Sequence, residues 1–258
     1  MKKVSFLAIL AMFGQLALAQ EVNTWRIGLQ LGMHGNESKF VGGSANANAR
    51  FNHDSYGSGA INLIGRYDLN NHWKIETGFG FSSIGFKSSL SENYSFLTPS
   101  SRFTTIESHI GTFEIPLMVS YKFDPNCKNW KWFVSGGFAS VFVGSATKGE
   151  DKFQANDGPT TVVYLGSTTK SSQSSYLHLR FAAGREKVYQ SGRIFSWAFI
   201  WNAGFASMAM NTVTYTIDSQ TYQHEFSNNG NYFGFRLAYH LKPMNNPSAK
   251  AISTASAK

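Results

Sequence analysis

One cysteine, Cys127, stands in a chain of 258 residues, so no disulfide can form within it. Stability must come from burial and backbone pairing. Charge is also scarce: Asp, Glu, Lys and Arg make up 15% of the residues. Beyond Leu18 no apolar run approaches the roughly 18 residues that a spanning helix needs. A helical membrane protein is therefore excluded. In a bilayer this chain could exist only as a closed barrel, because lipid offers no water to unpaired backbone groups.

The chain starts Met1-Lys2-Lys3, followed by an apolar run from Val4 to Leu18 and the small-residue site Ala17-Leu18-Ala19. A basic start, a short apolar core and an Ala-x-Ala site make a secretory signal peptide over residues 1–19, cleaved after Ala19. No cysteine stands directly after it to carry a lipid. The formal net charge is +8. A basic balance can indicate nucleic acid, but an exported chain does not meet it. Anionic lipid headgroups and internal carboxylates are the expected partners for this charge.

What the mature chain has in quantity is alternation. Trp25, Ile27, Leu29, Leu31 and Met33 alternate with Arg26, Gly28, Gln30, Gly32 and His34. Phe233, Phe235, Leu237, Tyr239 and Leu241 repeat the pattern near the end. Successive strand side chains point to opposite faces, so each series has one apolar side. Strand-like segments lie near 24–35, 58–69, 72–87, 104–123, 130–147, 174–189, 193–216 and 230–242. In the third, the apolar phase of Trp73, Ile75, Thr77, Phe79 and Phe81 slips at Ser82-Ser83 to Ile84 and Phe86, as a bulge would produce. The fifth mixes both phases.

Connections alternate long and short. Asn36–Gly57, Ser88–Phe103 and Lys148–Gln173 are long; Asn70-Asn71, Asp124–Asn129 and Gln190-Ser191-Gly192 are short. The last connection, around Asp218-Ser219-Gln220, extends its hairpin beyond the membrane. Long loops at one end and tight turns at the other are the order of an outer-membrane barrel with both termini in the periplasm. Trp25, Tyr67, Trp73, Tyr121, Trp130, Trp132, Tyr189, Trp197 and Tyr239 collect at the short-turn end. Rings with an apolar body and a polar tip favour the membrane boundary, which makes this set an aromatic girdle. The expected fold is all-β: an eight-stranded antiparallel up-and-down transmembrane barrel over residues 20–242, with residues 243–258 a disordered periplasmic tail.

The segment Phe113-Glu114-Ile115-Pro116-Leu117-Met118-Val119-Ser120-Tyr121-Lys122-Phe123 resembles the E-I-P-L-L…Y-x-F strand of PorT-like outer-membrane barrels, OmpA-type eight-stranded proteins of Bacteroidota. The resemblance implies this architecture and a Gram-negative outer-membrane location. Some members of that broader group belong to a secretion machine, which makes envelope or secretion proteins conceivable partners. Many outer-membrane barrels end on an aromatic residue. This chain continues beyond its last strand, which either displaces that signal to Tyr239-His240-Leu241 or puts its presence in question.

The other face of the strands carries the polar residues. An eight-stranded lumen is only wide enough for side chains to fill, and buried charges must be paired. Arg26, Arg66, Glu76, Glu114, Arg180 and Arg236 are therefore expected to form a polar network inside the barrel, with Glu76 and Glu114 bridging to arginines such as Arg66, Arg180 or Arg236. Gln30, His34, Asn62, Lys74, Lys122, His178, Asn202 and His240 share that face.

Candidate chemistry is sparse. Glu107, Ser108 and His109 near the outer end of the fourth strand, and His224-Glu225 in the last loop, are the residue types of a rim hydrolase. Adjacent strand residues point apart, though, and no Gly-x-Ser-x-Gly elbow accompanies them. His53-Asp54 and His224-Glu225 lack metal-ligand spacing, and Gly78-Phe79-Gly80 lies within a strand and makes no dinucleotide fingerprint. The expectation is a monomeric, non-enzymatic protein with no catalytic residue, metal or cofactor. Its outer loops, Lys148–Gln173 foremost, would bind an extracellular ligand or envelope partner. The alternatives are a small porin-like channel and a lipid-active enzyme.

Overall fold

The computed structural model describes residues 24–36, 38–43, 49–54, 56–92, 103–123, 130–144, 147–154, 162–217 and 220–244. The expected signal peptide, the tail from residue 245, Cys127, Asp218-Ser219 and parts of the other long connections lie outside them.

Regular structure among the described residues is all β. The strands are β1 (Thr24–Asn36), β2 (Lys39–Gly43), β3 (Ala49–Asp54), β4 (Tyr56–Asp68), β5 (Trp73–Glu92), β6 (Phe103–Lys122) and β7 (Trp130–Val143). There follow β8 (Thr147–Gln154), β9 (Val162–Ser171), β10 (Ser175–Val188), β11 (Ile194–Gly204), β12 (Ala209–Ile217), β13 (Gln220–Asn228) and β14 (Tyr232–His240).

Eight of these close on themselves in the order β1-β4-β5-β6-β7-β10-β11-β14, every neighbour antiparallel, with β14 returning to β1. Closure leaves the barrel wall no free edge. The alternating sequences settle which side is which. Leu31, Met33, Phe81 and Trp201 are at least half exposed on the outer surface, whereas Arg66, Lys74 and Asn202 are buried inside. Over its lower and middle height the interior is polar and the exterior apolar, the reverse of a soluble barrel and the arrangement lipid requires.

Short turns close the lower end. At the first of them Asn70 accepts the backbone N–H groups of His72 and Trp73 on Oδ1, at 2.8 and 2.7 Å. Beyond β14 the chain stays on the wall, where the Met244 N–H donates to the Trp25 carbonyl at 3.0 Å. Girdle rings pair at this end: Trp25 with Tyr67 at 4.8 Å, Trp73 with Tyr121 at 5.0 Å and Trp132 with Trp197 at 6.3 Å between centroids.

The upper end departs from a set of irregular loops. The long connections are built of strand: β2, β13, β12, β9 and β8 form a second antiparallel sheet of five. β9 leads into β10, β12 follows β11, and β13 leads into β14, so this sheet rises from one side of the barrel. The segment 193–216, expected as one strand, is two, β11 and β12, and the Lys148–Gln173 connection carries β8 and β9.

β5 carries no bulge where its sequence changes phase. Its pairing with β6 keeps a single register from Trp73↔Tyr121 to Ser91↔Phe103. Ile84 and Phe86 lie on the inward face and are buried. The sequence changes phase at Ser82-Ser83 because the interior itself turns apolar at that height, while the backbone continues straight. The register shift lies on the facing strand: Asp54 pairs with Lys87 but Ala60 with Ser82, which puts one extra residue between Asp54 and Ala60. The mixed phases of β7 have the same origin, since Phe133 and Val141 point inward at two levels while Val134, Phe138 and Phe142 face out.

Candidate functional site

The interior is stacked in three tiers, and strand alternation supplies each one. The lowest is ionic. Arg66 on β4 lies against Asp68 two residues on, Nη2 to Oδ1 at 2.7 Å, and reaches Glu186 on β10 through both terminal nitrogens at 2.8 and 3.1 Å. β4 and β10 are diametrically opposed in the ring of eight, so this pair crosses the full width of the lumen. Lys74 donates to Glu76 at 2.9 Å and Glu186 at 3.1 Å, and its Nζ sits 4.1 Å from the Phe133 ring centre. Asp68 also receives Arg26, and Lys122 at 3.1 Å. Arg236 approaches Glu76 at 3.6 Å and donates to Gln30 at 3.3 Å.

The middle tier is one bidentate pair with a polar surround. Arg180 on β10 grips both oxygens of Glu114 on β6 at 3.1 and 2.7 Å and donates from Nε to Asn202 at 3.1 Å. Asn202 bonds His178 Nδ1 at 2.7 Å and donates to the Gly230 carbonyl at 2.9 Å. His34 stacks on Tyr232 at 4.3 Å. Fork geometry of this kind holds an arginine and a carboxylate in a fixed orientation.

The upper tier is apolar: Ile84, Phe86, Ile110, Ala139, Val141, Tyr176, Met208 and Ala209 pack into one buried cluster. Tyr176 donates its hydroxyl to the Met208 carbonyl at 2.9 Å. Above it the second sheet packs on the upper part of β6 through Asn211, whose Nδ2 lies 2.7–2.8 Å from Ser108, Ser167 and Thr169. Higher still, Val213, Tyr215 and Phe226 are buried, and Tyr215 meets His224 at 3.2 Å. Burial pushes the His224 imidazole below its ordinary value.

Close backbone packing narrows the barrel further. A Cβ on Gly137 would sit 2.0 Å from the Leu117 carbonyl oxygen, and one on Gly184 2.0 Å from that of Trp197. Only glycine lets the neighbouring backbone approach so near at these inward positions. Two internal voids, one beside Gln30 and Arg236 and the other beside His34 and His178, have about 10 Å³ each. That is room for about one water molecule.

The structure buries all six residues expected in the lumen network. It brings Glu114 to Arg180 and Glu76 near Arg236, but directs Arg66 and Arg26 to acids that the sequence reading did not include, Asp68 and Glu186. Asp68 ends a strand beside a turn and reads as a turn residue. Glu186 sits in Arg185-Glu186-Lys187 and reads as a solvated strand end, although its parity with His178 and Arg180 already marks it as inward. The rim triad types are not assembled: Glu107 faces out and pairs with Lys87 at 3.7 Å, whereas Ser108 is buried under Asn211. Among the described residues no group of three His, Cys, Asp or Glu could hold a metal.

The sequence profile described as outer membrane protein beta-barrel domain matches residues 13–210. The chain belongs to this family. Membership, with the closed wall and its apolar exterior, places the protein in the outer membrane of a Gram-negative cell. Among solved structures it is similar to the outer membrane protein OprG of Pseudomonas aeruginosa, at 8% identity over 87% of this chain and 98% of that one, with a TM-score of 0.45. It is also similar to Ail, the attachment invasion locus protein of Yersinia pestis, at 11% identity, 84% and 99% coverage and a TM-score of 0.35. The outer membrane protease OmpT of Escherichia coli aligns at 10% identity, 83% and 96% coverage and a TM-score of 0.31. No curated protein matches the chain.

Proposed function

We propose that this outer-membrane barrel is a closed, monomeric, non-enzymatic platform that holds a strand-built surface outside the cell to bind an extracellular ligand or an envelope partner. One observation carries the reading: the interior is filled through three tiers, and the wall then continues upward as a five-stranded sheet with its own buried core. A pore needs a continuous polar path, and a rigid scaffold displaying connections is where binding resides. The resemblance of Phe113–Phe123 to the PorT-like strand supports a secretion or envelope assembly of Bacteroidota as the setting.

The test replaces Thr147–Ser171 by a short turn. The shortened protein is expected to keep heat-modifiable migration, the sign of an intact barrel, and to lose the partners that the full protein retains in a native-envelope pull-down. Retention of every partner by the shortened barrel would move binding away from this sheet.

A small pore is the second reading, favoured by the excess of cations over carboxylates in the lumen. Planar-bilayer recordings separate the two, and anion-selective conductance would establish the pore.

A further inference from the structure

Each interior cation described above faces a carboxylate. Two cations on the outer wall do not. Arg185 and Lys187 lie on β10 at the outward positions flanking Glu186, half-buried among rings, and no carboxylate pairs with either among the described residues. Arg185 is flanked in register by Trp132 on β7 and Trp197 on β11. Its guanidinium carbon lies 4.9 Å from the Trp132 ring centre and 5.6 Å from that of Trp130. Lys187, one tier lower between Trp130 and Phe195, places its Nζ 5.3 Å from the Tyr189 ring centre. The Arg185 Nε is covered and finds no hydrogen-bond partner among the described residues.

Charge on the lipid face is costly at the middle of the bilayer and nearly free at its boundary. β10 ends at Val188, so both cations stand at the short-turn end, within the aromatic girdle where the periplasmic headgroups lie. The rings hold the cations by their faces, which leaves the outer N–H donors of the guanidinium and the ammonium turned to the headgroup layer. Directly above, the outward position is the small Ala183, set between Val134 and Phe199. This interrupts the row of large outward side chains between Arg185 and Phe181.

We propose that Arg185 and Lys187, backed by Trp130, Trp132 and Tyr189, bind the phosphodiester of an anionic glycerophospholipid from the periplasmic leaflet, one acyl chain lying over Ala183. The phosphate oxygens accept from the guanidinium fork and the ammonium, supplying the counter-charge that the described residues do not.

The folded protein in non-ionic detergent is titrated with phosphatidylglycerol or with phosphatidylcholine of the same acyl chains, and bound lipid is counted by native mass spectrometry. Phosphatidylglycerol is expected to bind in preference. Arg185→Gln or Lys187→Gln is expected to weaken it about fivefold each, and the double variant about thirtyfold. Lys170→Gln, on exposed β9, should change nothing. Heat-modifiable migration checks that each variant is folded, and if one is not, the wild-type preference between the two lipids still decides. Equal binding of the lipids, variants that bind like wild type, or displacement of the lipid by millimolar inorganic phosphate would each overturn the proposal.

Discussion

Arg66 shows how single residues close this barrel. It satisfies Asp68 beside it and Glu186 across the lumen, and all three are buried. Breaking a buried pair from one side strands a charge, which typically costs about 3–5 kcal/mol, whereas replacing both partners with apolar groups is often neutral. Arg180→Met and Glu114→Leu should therefore each destabilise the barrel by about 3–5 kcal/mol in urea unfolding from phospholipid vesicles, while the double variant loses less than either. The exposed Lys87–Glu107 pair makes the contrast. Its side chains are 39% and 43% exposed, and Lys87→Gln should shift the same unfolding curve by less than about 1 kcal/mol. Which residues are inward was legible from parity alone: Arg26, Arg66, Glu76, Glu114, Arg180 and Arg236 all fall on the polar side of their strands. Which acid each arginine meets was not, because parity says nothing about the far wall.

At the scale of elements, β5 is the instructive case. Its apolar residues change sides at Ser82-Ser83 although its register with β6 does not. A one-dimensional pattern cannot distinguish a slipped backbone from an environment that changes from ionic to apolar along one lumen. Phe86, 1% exposed, belongs to that apolar tier. Phe86→Ala should cost about 3–5 kcal/mol of stability, the range for a buried phenylalanine. It should leave conductance nil in a planar bilayer, because the ionic tier below still crosses the lumen. The second sheet carries a pH dependence. A histidine held below its ordinary pKa by burial is neutral in the fold but takes up a proton when unfolded near or below pH 6.5. Its contribution is therefore present at neutral pH and lost as pH falls. The β12–β13 hairpin should accordingly be nicked faster by protease at pH 5 than at pH 7, and His224→Gln should flatten that difference. This sheet was only partly legible: the β12–β13 extension was, but β8 and β9 read as a Ser/Thr-rich loop. β8 pairs with β9 across their own connection, but β9 is fixed in the sheet by β12, which is distant in sequence.

For the whole molecule, the barrel and its filled interior lead to one joint expectation. The extracted protein should migrate faster unboiled than boiled on a gel, and liposomes containing it should not swell in small sugars. The sequence by itself determined the sidedness of the wall, the number of barrel strands and the alternation of long and short connections. Each of these is a local property, written in residues two apart or in the chain between neighbouring strands. Only the tertiary structure decided how the lumen is closed. Arg66 and Glu186 lie 120 residues apart in the chain, and they meet because β14 returns to β1 and sets β4 opposite β10. Strand alternation tells a side chain which way to face; closure of the ring decides what it finds there.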